Sequence, residues 1–156
     1  MKEACEGFVK TRITEGENLK KDLLHKLDHM EELVGFIEER SPKIVSEYRK
    51  KLEDKMAEVL ADTSIDESRI AAEVILYADK ICVDEETVRL RSHITHARQC
   101  LSEDGGIGRK LDFLAQEMNR EANTTLSKAN DIEISNAAID LKTEIEKVRE
   151  QIQNIE

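Results

Sequence analysis

Ile134, Ala138, Leu141, Ile145, Val148, Ile152 and Ile155 recur at alternating steps of four and three without a break. Each residue of an α-helix advances about 100°, so this spacing returns every apolar side chain to one narrow face. A strand would need apolar residues at every second position. The pattern is that of a coiled-coil seam, and it constrains the rest of the chain, because an apolar stripe on a long polar helix is stable only against other helices.

The same periodicity runs through the rest of the chain. Leu19, Leu23, Leu27, Met30, Val34 and Ile37 form one stripe, and Val45, Tyr48, Leu52, Met56 and Val59 a second. Between them stands Ser41-Pro42, a good N-cap followed by a residue suited to the first helical position. Two helices with so short a turn are expected to lie antiparallel, giving a hairpin over residues 1–64. A turn at Asp62 to Asp66 follows. Ile70, Val74, Tyr77 and Ile81 mark a third helix, and Leu90, Ile94, Ala97 and Leu101 a fourth, with Asp84 as its cap. The turn "SEDGGIG" leads into a further helix, interrupted near Asn123-Thr124-Thr125, before the final seam. No alternating β-branched run suggests a sheet. The expected class is all-α: a long antiparallel helical hairpin, then a small helical domain over residues 65–156 that ends in the coiled-coil-like helix.

Composition agrees with long helices. Aromatic residues are 3% of the 156, Trp is absent, there is a single Pro, and charged residues reach 37%. Narrow seams rather than a thick core follow from such a chain, and exposed seams favour assembly with further copies. No stretch approaches the roughly 18 apolar residues of a membrane span, and the opening MKEACEGFVKTR has no signal-peptide core. A soluble cytoplasmic protein is expected. Cys5, Cys82 and Cys100 show no Cys-x-x-Cys spacing and read as reduced structural thiols.

Two adjoining stretches concentrate ionisable groups. Glu86, Arg89, His93, His96 and Cys100 follow steps of three and four beside the apolar stripe of their helix. Glu86 and His93 are roughly 10 Å apart along the axis, too far to share one small ion unaided, so a metal site would need the next helix. That helix begins in "GRKLDFLAQEMNREANT". Leu111, Leu114, Ala115 and Met118 fall on one arc, and Arg109, Asp112, Gln116, Asn119 and Arg120 on the other. Phe113 lies within the polar arc between the two arginines, where it either stacks on a base or, the commoner role, packs against another helix or subunit. Glu117 and Glu121 form a like-charge pair one turn apart, unfavourable by a few tenths of a kcal/mol without a nearby cation. The Gly105-Gly106-Ile107-Gly108 run lacks phosphate-loop spacing and follows no strand, so it reads as a hinge.

A net charge of −10 argues against coating nucleic acid by bulk electrostatics, and no DNA partner is expected. Locally the balance reverses. Arg89, Arg91, Arg98, Arg109 and Lys110 face only Glu103 and Asp104 between Thr87 and Lys110. Such an island suits a polyanion handled with a divalent cation, and it equally suits an internal ion-pair network.

The stretch "DESRIAAEVILYADKICVDEETVRLRSHI", together with residues 108–156, resembles the C-terminal domain of the YicC/YloC family of bacterial endoribonucleases. The terminal Arg149-Glu150-Gln151, Gln153-Asn154 and Glu156 match the family's closing signature, and Arg12, Glu15, Gly16 and Leu19 match an upstream element. Ala122 and Leu126 depart from the pattern where a larger and a smaller residue are expected. Family members are longer, so the chain is expected to be the helical C-terminal portion, without the N-terminal domain. The resemblance implies cleavage of single-stranded RNA by a homo-oligomer dependent on Mn2+ or Mg2+. It implies His93, Glu117 and Glu121 as catalytic residues, and Glu86, His93, Asp112, Glu117 and Glu121 as metal ligands. Arg109, Gln116, Arg120, Asn123 and Lys128 are implied at the RNA. The alternative is a non-enzymatic helical oligomerisation module whose final seam pairs between chains, with catalysis in the N-terminal domain.

Overall fold

The computed structural model describes residues 2–59, 67–103 and 105–153. Five helices and no strand occur among them: α1 (Lys2–Val59), α2 (Glu67–Ile81), α3 (Asp84–Cys100), α4 (Gly108–Lys128) and α5 (Ile132–Ile152). The expected Asp62 to Asp66 turn, the domain boundary at residues 64 and 65, the side chains of Cys5 and Val59, Asp104 and the closing residues 154–156 lie outside the described residues.

The all-α expectation holds, but the hairpin does not form. α1 continues through Ser41 and Pro42 as one helix. The stripe explains why: Val34, Ile37, Ser41, Ile44 and Tyr48 keep steps of three and four across the proline, so one face stays in phase and a reversal would bury nothing extra. Ser41 Oγ donates to the Ile37 carbonyl at 2.8 Å, a hydrogen bond within the helix rather than a cap. Arg40 then ties this segment down. Its guanidinium reaches Glu47 at 2.7 Å, Asp131 at 2.8 Å and Glu133 at 2.6 Å.

α1, α3, α4 and α5 form an up-down-up-down four-helix bundle. Asp22 accepts from Gln151 while Arg40 meets Asp131, so α1 and α5 run antiparallel. Arg91 pairs with Glu38 and Arg98 with Asp28, making α1 and α3 antiparallel as well. Inside, Leu23, Leu27, Met30 and Val34 of α1 share one core with Leu90 and Ile94 of α3, Leu111 and Met118 of α4, and Leu141, Ile145 and Val148 of α5. A smaller cluster gathers Ile37, Ile44, Ile81, Val83, Ile134 and Ala137. The later half of α1 takes α2 as its neighbour, with Tyr48 stacked on Tyr77 at 3.8 Å between ring centroids.

Three further expectations change. The α5 seam is closed within the chain: Ala138, Leu141 and Ile145 have no exposure and Ile134, Val148 and Ile152 only 4%. The neighbours it needs are α1 and α4 of the same molecule. α4 is continuous through Asn123-Thr124-Thr125, because the Thr124 and Thr125 hydroxyls donate to the Arg120 and Glu121 carbonyls one turn back, leaving the backbone ladder intact. Asp84 is the first residue of α3 rather than its cap, which is Val83, and no side chain caps the helix. Three acidic residues in that first turn suit the positive end of the helix dipole instead.

Candidate functional site on α3 and α4

The turn between α3 and α4 lets the two helices fold back on each other. Gly105 has φ +119°, a left-handed conformation that favours glycine, and the Ile107 amide donates to its carbonyl at 2.8 Å before α4 starts at Gly108. The antiparallel register is fixed by cross-helix pairs. Lys110 Nζ meets Glu103 at 2.7 Å near the turn, Arg89 reaches Glu121 at 3.5 Å midway, and Lys128 meets Glu86 at 2.8 Å at the far end.

Glu86 and Glu121 are buried carboxylates, 5% and 4% exposed, on facing helices. Each is held by one cation. Lys128 donates to Glu86 Oε1 and also to the Cys82 carbonyl at 3.1 Å, while Glu86 Oε2 is buried and has no hydrogen-bond partner. The hydrogen bond from Lys128 to Glu86 holds the lysine above its ordinary pKa, so it stays charged at neutral pH. Arg89 divides its guanidinium between Glu121 and Glu85. These pairs place the half-buried His93 level with the turn of α4 that carries Glu117 and Glu121. Neither a hydrogen bond nor an ion pair joins His93 to Glu117 or Glu121 among the described residues. Glu117 is half-buried.

The five expected metal ligands are not gathered round one point. Asp112 turns to α5, accepting from Gln116 at 2.7 Å and standing 3.6 Å from Arg149 Nε. Glu86 and Glu121 are committed to Lys128 and Arg89. Among the described residues no group of three or more His, Cys, Asp or Glu side chains stands close enough to hold a metal ion. Among the described residues the buried carboxylates meet cations instead of one another: Glu86 is paired with Lys128 and Glu121 with Arg89.

The expected RNA contacts fare differently. Arg109, Gln116, Arg120 and Asn123 are all exposed on the outward side of α4, while Lys128 is half-buried on the Glu86 side. His96 is exposed on the outer face of α3, Cys100 is buried and Cys82 exposed, so the two described thiols do not share one structural role. Sequence reasoning placed Arg89 on the ionisable stripe but missed its part in holding Glu121. The signal was present: an arginine one turn after Glu85 and on the side of α3 that meets α4.

The family model described as "Endoribonuclease YicC-like, C-terminal" matches residues 37–156. The chain belongs to this family. It is 48% identical over 146 residues to a protein named probable endoribonuclease YicC from Clostridioides difficile (strain 630), covering 93% of this chain and 50% of that one. A probable endoribonuclease YicC from Haemophilus influenzae (strain ATCC 51907 / DSM 11121 / KW20 / Rd) is 37% identical over 149 residues, covering 96% of this chain and 51% of the relative. The chain thus spans about half the length of these curated relatives. Both alignments take in α3 and α4 and most of α1, so the bundle and its polar seam belong to the part that the family shares.

Proposed function

We propose that this chain is the C-terminal portion of an endoribonuclease that cleaves single-stranded RNA in the presence of a divalent cation, Mn2+ or Mg2+. The observation that supports the reading is that α4 carries the buried Glu121 and the half-buried Glu117 on its α3 side and the exposed Arg109, Gln116 and Arg120 on its outward side. On this reading Arg109 and Arg120 orient the RNA backbone through paired hydrogen bonds to phosphate, with Gln116 and Asn123 beside them. His93, level with Glu117, moves the proton at the reacting oxygen. Glu117, Glu121, Glu86 and Asp112 supply negative charge to the seam, and Lys128 keeps the far end of it closed. The cation belongs to the reaction as a requirement, and no step is assigned to it, since the described carboxylates do not assemble a ligand set by themselves.

Self-association is part of the same reading. Val9 and Ile13, on the opening turns of α1, are 55% and 58% exposed, and Ile132 and Ile139 on α5 are exposed too. The α5 seam that motivated a purely structural oligomerisation module is closed inside the chain, which removes the main reason for that alternative. No helix among the described residues is long and apolar enough to cross a membrane, and RNA in the cytoplasm is the proposed substrate.

The test is cleavage of a single-stranded RNA by the full-length protein with and without manganese. His93→Ala and Glu117→Gln are expected to remove most metal-dependent cleavage while leaving helix content and oligomer size as they were. Near-normal cleavage in both variants overturns the assignment of chemistry to this seam.

A further inference from the structure

The outward side of α4 carries a feature that phosphate binding alone does not explain. Arg109, Phe113, Gln116 and Arg120 follow steps of four, three and four, and the Phe113 ring between the two arginines is 60% exposed. Six arginines of this acidic chain find carboxylates: Arg40, Arg49, Arg89, Arg91, Arg98 and Arg149 each form an ion pair, while Arg69 on α2 forms none among the described residues. Arg109 and Arg120 form none among the described residues. Their surroundings contain carboxylates, since Glu117 lies on the next turn after Phe113 and Asp112 beside it, but Asp112 is engaged by Gln116 and Arg149. The result is an exposed aromatic ring flanked by two guanidiniums that form no ion pair among the described residues, roughly 16 Å from end to end at 1.5 Å per residue.

We infer that Phe113 is a base-stacking residue of a single-stranded RNA track along α4, with Arg109 and Arg120 on the phosphates to either side. The inference rests on the RNA-cleaving reading for its occupant and adds to it the contact that selects single strands. A ring face binds any unstacked base, whereas a duplex keeps its base faces covered, so an aromatic platform discriminates by strandedness rather than by sequence. Two unpaired guanidiniums with an exposed ring between them suit a polyanion with bases; a second copy, net charge −10, is the competing occupant that sedimentation separates. Phe113 and Glu117 are one turn apart, so a base seated on the ring leaves its neighbouring phosphate beside the turn that carries Glu117. Phe113 thereby sets which phosphate reaches the seam.

The experiment measures binding of a fluorescein-labelled decauridylate to the full-length protein by anisotropy, across a salt series. Phe113→Ala and Phe113→Leu are each expected to weaken binding by roughly 5- to 100-fold with the salt slope unchanged, while Phe113→Tyr restores it. Arg109→Ala and Arg120→Ala are expected to reduce the salt slope, by about 0.7 for each phosphate that is no longer neutralised. If Phe113→Leu binds like the parent, the ring supplies apolar packing and the inference fails. If Phe113→Ala changes the oligomer size in sedimentation and binding falls only with it, the face joins copies of the chain and the inference fails as well. Weaker binding in the arginine variants alone overturns the stacking role and leaves the RNA reading standing; binding unchanged in all variants removes both from this face.

Discussion

Lys128 Nζ at the end of α4 stands 2.8 Å from Glu86 Oε1 in the first turn of α3, and the second oxygen of that carboxylate is buried with no hydrogen-bond partner. One ammonium therefore balances a charge that water scarcely reaches. Removing it leaves the carboxylate alone. Lys128→Met is expected to destabilise the protein by about 1–2 kcal/mol, less than the ~3–5 kcal/mol of a fully buried pair because Lys128 itself is 36% exposed. Adding Glu86→Gln to that variant should recover part of the loss. Urea denaturation of the two variants checks both outcomes, and an unaltered midpoint in Lys128→Met would show that the pair contributes nothing.

Glu38 and Arg91 join α1 to α3 through two hydrogen bonds, at 2.9 and 2.6 Å. Hydrogen bonding to Arg91 holds the Glu38 carboxyl below its ordinary value of 4.5, against the opposing effect of burial. A carboxylate with a depressed folded pKa adds stability that is complete above the unfolded value and disappears as pH falls through the folded one. Stability should accordingly decline as pH falls below about 4.5, and Arg91→Ala should make that decline shallower. Denaturation midpoints between pH 7 and pH 3 measure the difference; equal slopes for parent and variant would remove Glu38 from the acid transition.

Pro42 occupies the interior of α1, where proline lacks the amide that would bond the Glu38 carbonyl and crowds that carbonyl with its ring. Such a residue costs about 3 kcal/mol relative to alanine, offset by up to ~1 kcal/mol from its restriction of the unfolded chain. Pro42→Ala is expected to raise stability by about 1–2 kcal/mol. A lower melting temperature in this variant would mean that the bundle depends on the local shape that proline imposes.

Ile145 has no exposure and lies in the core shared by α1, α3, α4 and α5. Ile145→Ala should cost about 2–5 kcal/mol, and the loss should not vary with protein concentration, because every neighbour belongs to the same chain. A melting temperature that drops further on dilution in the variant than in the parent would place this seam between molecules.

The stripes were legible because burial on a helix is periodic, and Leu23, Leu27, Ile94, Leu141 and Ile145 all stand out by spacing and are all buried. Pro42 misled because a local preference for the first helical turn was weighed without the phase of the stripe, which runs on through Ser41 to Tyr48. Thr124 and Thr125 misled in the same way: their polar side chains suggested a break, yet both hydroxyls bond back to the helix that holds them.

The sequence by itself determined that the chain is helical, which face of each helix is apolar, and that Glu86, Arg89, His93, Glu117 and Glu121 lie along the edges of those faces. These are properties of one helix at a time, set by 3.6 residues per turn. Only the tertiary structure decided what meets what. The α5 seam closes on α1 and α4 rather than on another molecule, because apolar periodicity specifies that a face is buried and leaves its partner open. Glu86 falls to Lys128 and Glu121 to Arg89, because charge pairing across helices depends on the register between α3 and α4, and that register comes from the turn at Gly105 and the packing of Leu90, Ile94, Leu111 and Met118 beneath it.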